Sequence, residues 1–99
     1  MKTFDEIKQI LQAQKPYLAK RYGINEIGVF GSYVRDAQTI GSDLDILVEF
    51  EEPIRIDLFD LVNLENYLSD LLGIKADISI KRNLKQRIGK HILQEVVIV

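Results

Sequence analysis

Val29-Phe30-Gly31-Ser32-Tyr33-Val34-Arg35, six further residues, then Ser42-Asp43-Leu44-Asp45-Ile46-Leu47-Val48-Glu49-Phe50: the fold turns on this segment. Leu44 to Phe50 is rich in branched apolar residues and predicts a central strand. Ile24 to Phe30 predicts the strand before it, broken by Gly31-Ser32, with a short helical turn from Ser32 to Ala37 and a loop from Thr39 to Ser42. Asp43 and Asp45 flank a single residue at the entrance of the second strand, so their side chains leave the same face with Cα atoms roughly 6.5–7 Å apart. Two carboxylates so placed repel each other unless a cation sits between them, and Mg²⁺ takes one or two carboxylates together with substrate phosphates. Taken alone the pair reads as exposed acids at a strand entrance, and Gly31-Ser32 alone reads as an ordinary strand-to-helix turn. Together they describe one device. Backbone N–H groups at the Gly-Ser turn, with the Ser32 hydroxyl, suit an anion such as a triphosphate, and the next strand supplies the metal ligands. Arg35 either reaches a phosphate or pairs with Asp36 or Asp43.

Working outward, Thr3-Phe4-Asp5-Glu6 has the spacing of a capping box, and Phe4, Ile7, Ile10, Leu11, Tyr17 and Leu18 follow at helical spacing. Pro16 is expected to divide this stretch, ending a first helix near Gln14 and opening a second that Gly23 closes. Ile56 to Leu72 predicts a helix with a broad apolar face. Ile74 to Ile80 alternates as a half-buried strand, and Leu84 to Val96 predicts a last amphipathic helix. Val97-Ile98-Val99 is either an extended tail or a continuation of that helix. The predicted order is α–β–α–β–α–β–α, an α/β (α+β) sandwich with three or four strands in a mixed sheet. Asp77 is the only acid in the third strand and sits out of phase with its apolar residues, which makes it the candidate third carboxylate. Its role would be to ligate a second metal and accept the proton of an incoming hydroxyl.

Composition narrows the function classes. Ninety-nine residues, 46% apolar and 28% charged, suit one globular domain spanning residues 1–99. Cysteine is absent, which excludes disulfides, thiolate metal sites and a thiol nucleophile. No run approaches the roughly 20 apolar residues of a membrane span, and the N-terminal residues are acidic where a secretory signal needs an apolar core, so the expectation is a cytoplasmic protein that does not engage membranes. A net charge of −2 argues against strong direct nucleic-acid binding. Residues 49–60 are acidic and residues 81–90 basic, and each run reads first as a solvated face. His91, the lone histidine, reads as a surface or packing residue, and Tyr33 as either a base-stacking or an exposed turn residue.

The pattern Gly31-Ser32-x-x-Arg35 … Ser42-Asp43-Leu44-Asp45-Ile46-Leu47-Val48, followed by an isolated strand aspartate, resembles the polymerase-β-like nucleotidyltransferase superfamily. More narrowly, nearly the whole chain looks like the minimal nucleotidyltransferases. The resemblance implies that Asp43, Asp45 and Asp77 form a catalytic, metal-binding triad for Mg²⁺, two ions in all. It also implies that Gly31 and Ser32 hold the triphosphate of ATP, and Arg35 and Ser42 beside them are further candidate phosphate ligands. It departs at Asp36, where a glycine often follows the arginine, and at Ile40-Gly41, where a Pro-containing turn is commoner. Proteins of this size in that family are antitoxins paired with HEPN-type ribonuclease toxins, and they attach AMP to a toxin tyrosine. The alternatives are nucleotidyl transfer to a small hydroxylated molecule of aminoglycoside type, and an antitoxin that acts only by binding its toxin.

Overall fold

The computed structural model describes residues 2–99. Helix α1 spans Phe4–Tyr22, strands β1 and β2 span Ile24–Phe30 and Leu44–Phe50, and α2 spans Leu58–Leu72. Strand β3 (Ala76–Ile80), a 3₁₀ turn (Lys81–Asn83), α3 (Gln86–Glu95) and β4 (Val97–Ile98) complete the chain. The sheet order is β3-β2-β1-β4. Strand β1 runs antiparallel to both β2 and β4, while β2 and β3 are parallel, so the sheet is mixed and has four strands.

The sheet's two faces follow from the period-2 alternation of β2. Leu44, Ile46, Val48 and Phe50 are buried in one core with Ile27 and Val29 of β1, Ile7, Leu11, Leu18 and Tyr22 of α1, and Leu64, Leu68 and Leu72 of α2. Burying eleven large apolar side chains to under 2% exposure removes enough apolar surface, at about 25 cal/mol per Å², to hold so short a chain together. The opposite face carries Asp45, Leu47 and Glu49, paired across β1 with Phe30, Gly28 and Glu26. There α3 closes over the sheet, and Val96 just beyond its end packs on the bare backbone of Gly28.

Several expectations change in the folded chain. Pro16 does not divide the first helix, and α1 runs through it. Proline removes one hydrogen bond, to the carbonyl four residues back, but Pro16 and Gln12 both face solvent, where water replaces the bond. Meanwhile Ile7, Leu11, Leu18 and Tyr22 keep one buried stripe in phase across the proline. Between β1 and β2 the expected short helical turn is present but does not lengthen into a regular helix. Residues 31–36 make successive turns instead, with Arg35 N–H donating to the Gly31 carbonyl at 3.3 Å and Ala37 N–H to Ser32 at 2.9 Å. Helix α2 begins two residues later than Ile56, because the Asp57 carboxylate accepts from Asp60 N–H at 2.9 Å and the Asp60 carboxylate accepts in return, a reciprocal cap. The last helix likewise starts at Gln86 rather than Leu84 and ends at Glu95.

The tail resolves as strand. Val97 and Ile98 pair with Val29 and Gly28, Val99 N–H donates to Ile27 at 3.0 Å, and Lys15 Nζ donates to the Val99 carbonyl. The two charge runs meet each other: Lys81 lies 3.2 Å from Glu49 and Arg82 3.3 Å from Glu52. These exposed pairs contribute little, of order 0–1 kcal/mol each. Among the described residues no helix is long and apolar enough to cross a membrane.

Candidate active site

Three short segments converge at one end of the α3-facing side of the sheet. The first is the turn after β1. Gly31 is buried and has φ +83°, and a Cβ on it would overlap the Asp45 carboxylate and come within 3.0 Å of Asp45 Cγ. Only glycine permits both that backbone geometry and so close an approach. Ser32 beside it is half-buried.

The second segment is the entrance of β2. Asp43 is exposed and precedes the strand; Asp45 is half-buried within it. Ser42, expected among the phosphate ligands, turns its hydroxyl onto the loop, where it accepts the Thr39 N–H at 2.9 Å. That contact fixes the loop delivering Asp43. The third segment is the start of β3, brought alongside by the Leu44 N–H donating to the Lys75 carbonyl at 2.8 Å. The Ser69 hydroxyl of α2 accepts the Ala76 N–H at 2.9 Å and fixes the strand from the other side. The parallel register then sets Asp77 directly beside Asp45.

Electrostatics mark the centre of this arrangement. Asp45 is pushed above the ordinary carboxylate range, first by burial, then by the negative charges of Asp77 and Asp43, with Arg35 opposing. Like charges gathered around a half-buried carboxyl suit a divalent cation: hard oxygen donors, converging from two strands, with the repulsion a metal relieves. Asp43, Asp45 and Asp77 would hold it. Among the described residues no three acidic or histidine side chains are grouped closely enough to hold a metal ion as they stand.

Arg35 takes neither of its expected acidic partners. Its guanidinium pairs with Glu95, the last residue of α3, a contact sixty residues away in sequence that no local pattern announces. Tyr33 is neither exposed nor placed for stacking; it is 3% exposed and belongs to the core. His91 is exposed on α3. Beside Asp43 lies an open depression of about 750 Å³ that includes Lys2, Ser42, Gly73 and Lys75, and it meets the carboxylate cluster only through Asp43.

Asp36 adopts φ +55°, the left-handed region that costs most L-residues about 1–2 kcal/mol and aspartate less. This is the position where the family resemblance anticipates glycine. Asp36→Gly is expected to stabilise the fold by about 0.5 kcal/mol, the relief of strain being partly offset by the freedom glycine adds to the unfolded chain. A melting temperature raised by roughly 2–4 °C is the reading; a lowered one would show that the aspartate side chain supports the turn.

Comparison with known proteins identifies the family. The nucleotidyltransferase domain family matches residues 6–99. Protein adenylyltransferase MntA of Thermococcus cleftensis is 50% identical over 99 residues, covering 100% of this chain and 98% of that one. A solved structure described as a minimal nucleotidyltransferase superposes with a TM-score of 0.72 at 34% identity, over 94% of this chain and 88% of that chain. A complex of tri-AMPylated HEPN toxin with MNT antitoxin from Shewanella oneidensis shares the fold, with a TM-score of 0.60 at 19% identity over 95% of this chain and 66% of that chain. Matched along almost the entire chain, this protein belongs to the nucleotidyltransferase domain family, and it is an enzyme of nucleotidyl transfer.

Proposed function

We propose that residues 1–99 act as one minimal protein adenylyltransferase, an antitoxin that transfers AMP from ATP to a tyrosine of a HEPN-type toxin in the cytoplasm. The observation carrying this reading is the in-register pairing of Asp45 with Asp77, against which the bare α-carbon of Gly31 packs. The relative sharing half its residues is named a protein adenylyltransferase, and the antitoxin of shared fold is seen with an AMPylated HEPN toxin.

Each residue has a part. The Gly31–Ser32 backbone and the Ser32 hydroxyl hold phosphate oxygens, Arg35 adds positive charge there, and Ser42 keeps the preceding loop in place. Asp43, Asp45 and Asp77 would hold Mg²⁺, which when bound would neutralise charge on the phosphates and on the leaving group. The tyrosine oxygen attacks the α-phosphorus, its proton passes to the Asp77 carboxylate, the new O–P bond forms, and the bond to the bridging oxygen breaks to release pyrophosphate.

Intact mass spectrometry of the product of the adjacent gene, incubated with this protein, ATP and Mg²⁺, tests the proposal. One or more added AMP units are expected, and none with Asp45→Asn. A tight complex without added mass would instead establish inhibition by binding alone.

A further inference from the structure

Glu95 occupies an unfavourable position for a carboxylate. It is the last residue of α3, and no basic residue shares that turn, so it lies at the negative end of the helix dipole. Its side chain is only 15% exposed. What it has is Arg35, to which its carboxylate is joined.

The backbone beneath Glu95 is firmly held. Val96 N–H donates to Ile92 at 2.9 Å, Val96 packs on Gly28, and Val97 and Ile98 pair with β1. Arg35 stands on less secure ground. It lies within a run of turns, immediately before the left-handed Asp36, and its side chain is 55% exposed. A guanidinium carries five N–H donors, and Glu95 engages Nη1. Arg35 N–H bonds back to the Gly31 carbonyl at 3.3 Å, and the bare α-carbon of Gly31 packs against the Asp45 carboxylate, so the pair sits at the carboxylate end of the sheet.

We infer that Glu95 is a positioning residue for nucleotide binding: anchored by β4, it fixes the Arg35 guanidinium beside Asp45 with its remaining donors turned to the phosphates. This rests on the proposed assignment of the Gly31–Arg35 turn to the triphosphate. An untethered arginine on a turn would lose more rotamer freedom on meeting a phosphate, and holding it beforehand lowers that cost. Glu95 itself, an anion, touches no phosphate. It acts through Arg35.

The test is ATP affinity in the presence of Mg²⁺ and without acceptor, measured by calorimetry on the full chain. Wild type is compared with Arg35→Ala, Glu95→Ala, Glu95→Gln and the Arg35→Ala/Glu95→Ala double variant, each first checked for a cooperative melt. Losing one charge-assisted phosphate contact is expected to weaken binding by about 30-fold in Arg35→Ala. Losing only its orientation is expected to weaken it by about 5–10-fold in Glu95→Ala and less in Glu95→Gln. Because both act through one guanidinium, the double variant should bind no more weakly than Arg35→Ala. If Glu95→Ala melts poorly, Glu95→Gln alone carries the comparison. Unchanged or tighter binding in the Glu95 variants, with Arg35→Ala still weakened, would overturn the inference and leave the phosphate site standing. So would losses that add in the double variant. Wild type that fails to bind ATP, or Arg35→Ala that binds it normally, would overturn the underlying assignment of the turn as well.

Discussion

Asp45→Asn is expected to abolish nucleotidyl transfer and, at the same time, to raise the melting temperature at pH 7. The loss of activity follows from the carboxylate's central place between Asp43 and Asp77. Removing a donor that holds the metal against the phosphates forfeits several kcal/mol of charge stabilisation, and about 4 kcal/mol is a thousandfold in rate. The gain in stability comes from the same cause. Burial and two neighbouring carboxylates raise the Asp45 pKa in the folded protein, so ionising it costs the folded state more than the unfolded one. That cost is absent at pH values below the unfolded carboxylate's ordinary 3.8, grows from there as pH climbs through the raised folded value, and is fully present at neutrality. Asparagine removes it. Solvent screening of a partly exposed group weakens the effect, so the rise in melting temperature should be small but present at pH 7. Melting curves of both proteins at pH 7 and in acid should therefore differ at neutrality and converge as pH falls. A variant that melts lower than wild type at pH 7, or that transfers AMP at the wild-type rate, would contradict the assignment. A site that destabilises its own fold for the sake of its ligand is common among enzymes.

Gly31→Ala is expected to cost both stability and activity. At φ +83° a β-carbon carries about 1–2 kcal/mol of backbone strain. It also has nowhere to go, because the Asp45 carboxylate fills the space. Moving either the turn or the aspartate adds to the cost, giving about 2–3 kcal/mol and a melting temperature lower by roughly 10–20 °C. Displacing a reacting group by about 1 Å lowers rate by about a hundredfold, so kcat should fall at least that far even at temperatures where the variant is folded. Gly23→Ala provides the control. Gly23 also has positive φ, +72°, but its nearest neighbour is the Arg55 guanidinium at 3.6 Å. It should lose about 1 kcal/mol of stability while kcat stays at the wild-type value. Equal kinetic losses in the two variants would mean that the closeness of Gly31 to Asp45 has no part in catalysis.

Much of this arrangement is written in short stretches. Leu44–Phe50 and Ile24–Phe30 have strand limits that follow from branched apolar runs bounded by Ser42-Asp43 and Gly31-Ser32, because extended backbone favours those side chains and glycine breaks them. The Thr3–Glu6 cap and the Gly23 and Gly73 stops were equally legible, each depending on atoms within a few residues. The same locality set Gly31 next to Ser32 and Asp43 two residues from Asp45. It also misled. Pro16 looked like a boundary because a sequence does not show which side of a helix will be buried, and Tyr33 looked exposed because a turn's side chain can point inward only once a core exists to receive it.

What the sequence by itself determined is the local chemistry: a phosphate-suited turn, an Asp-x-Asp strand entrance, and elements of the right kind in nearly the right order. What only the tertiary structure decided is who stands beside whom. Asp77 meets Asp45 because β3 pairs in parallel with β2, Glu95 meets Arg35 across sixty residues of chain, and Val97–Ile98 becomes a strand because β1 still has an open edge. Local preferences arise from backbone sterics and hydrogen bonds within one or two turns. Pairings of this second kind arise only when the apolar faces of α1, α2 and the sheet are buried together, and that collapse is a property of the whole chain.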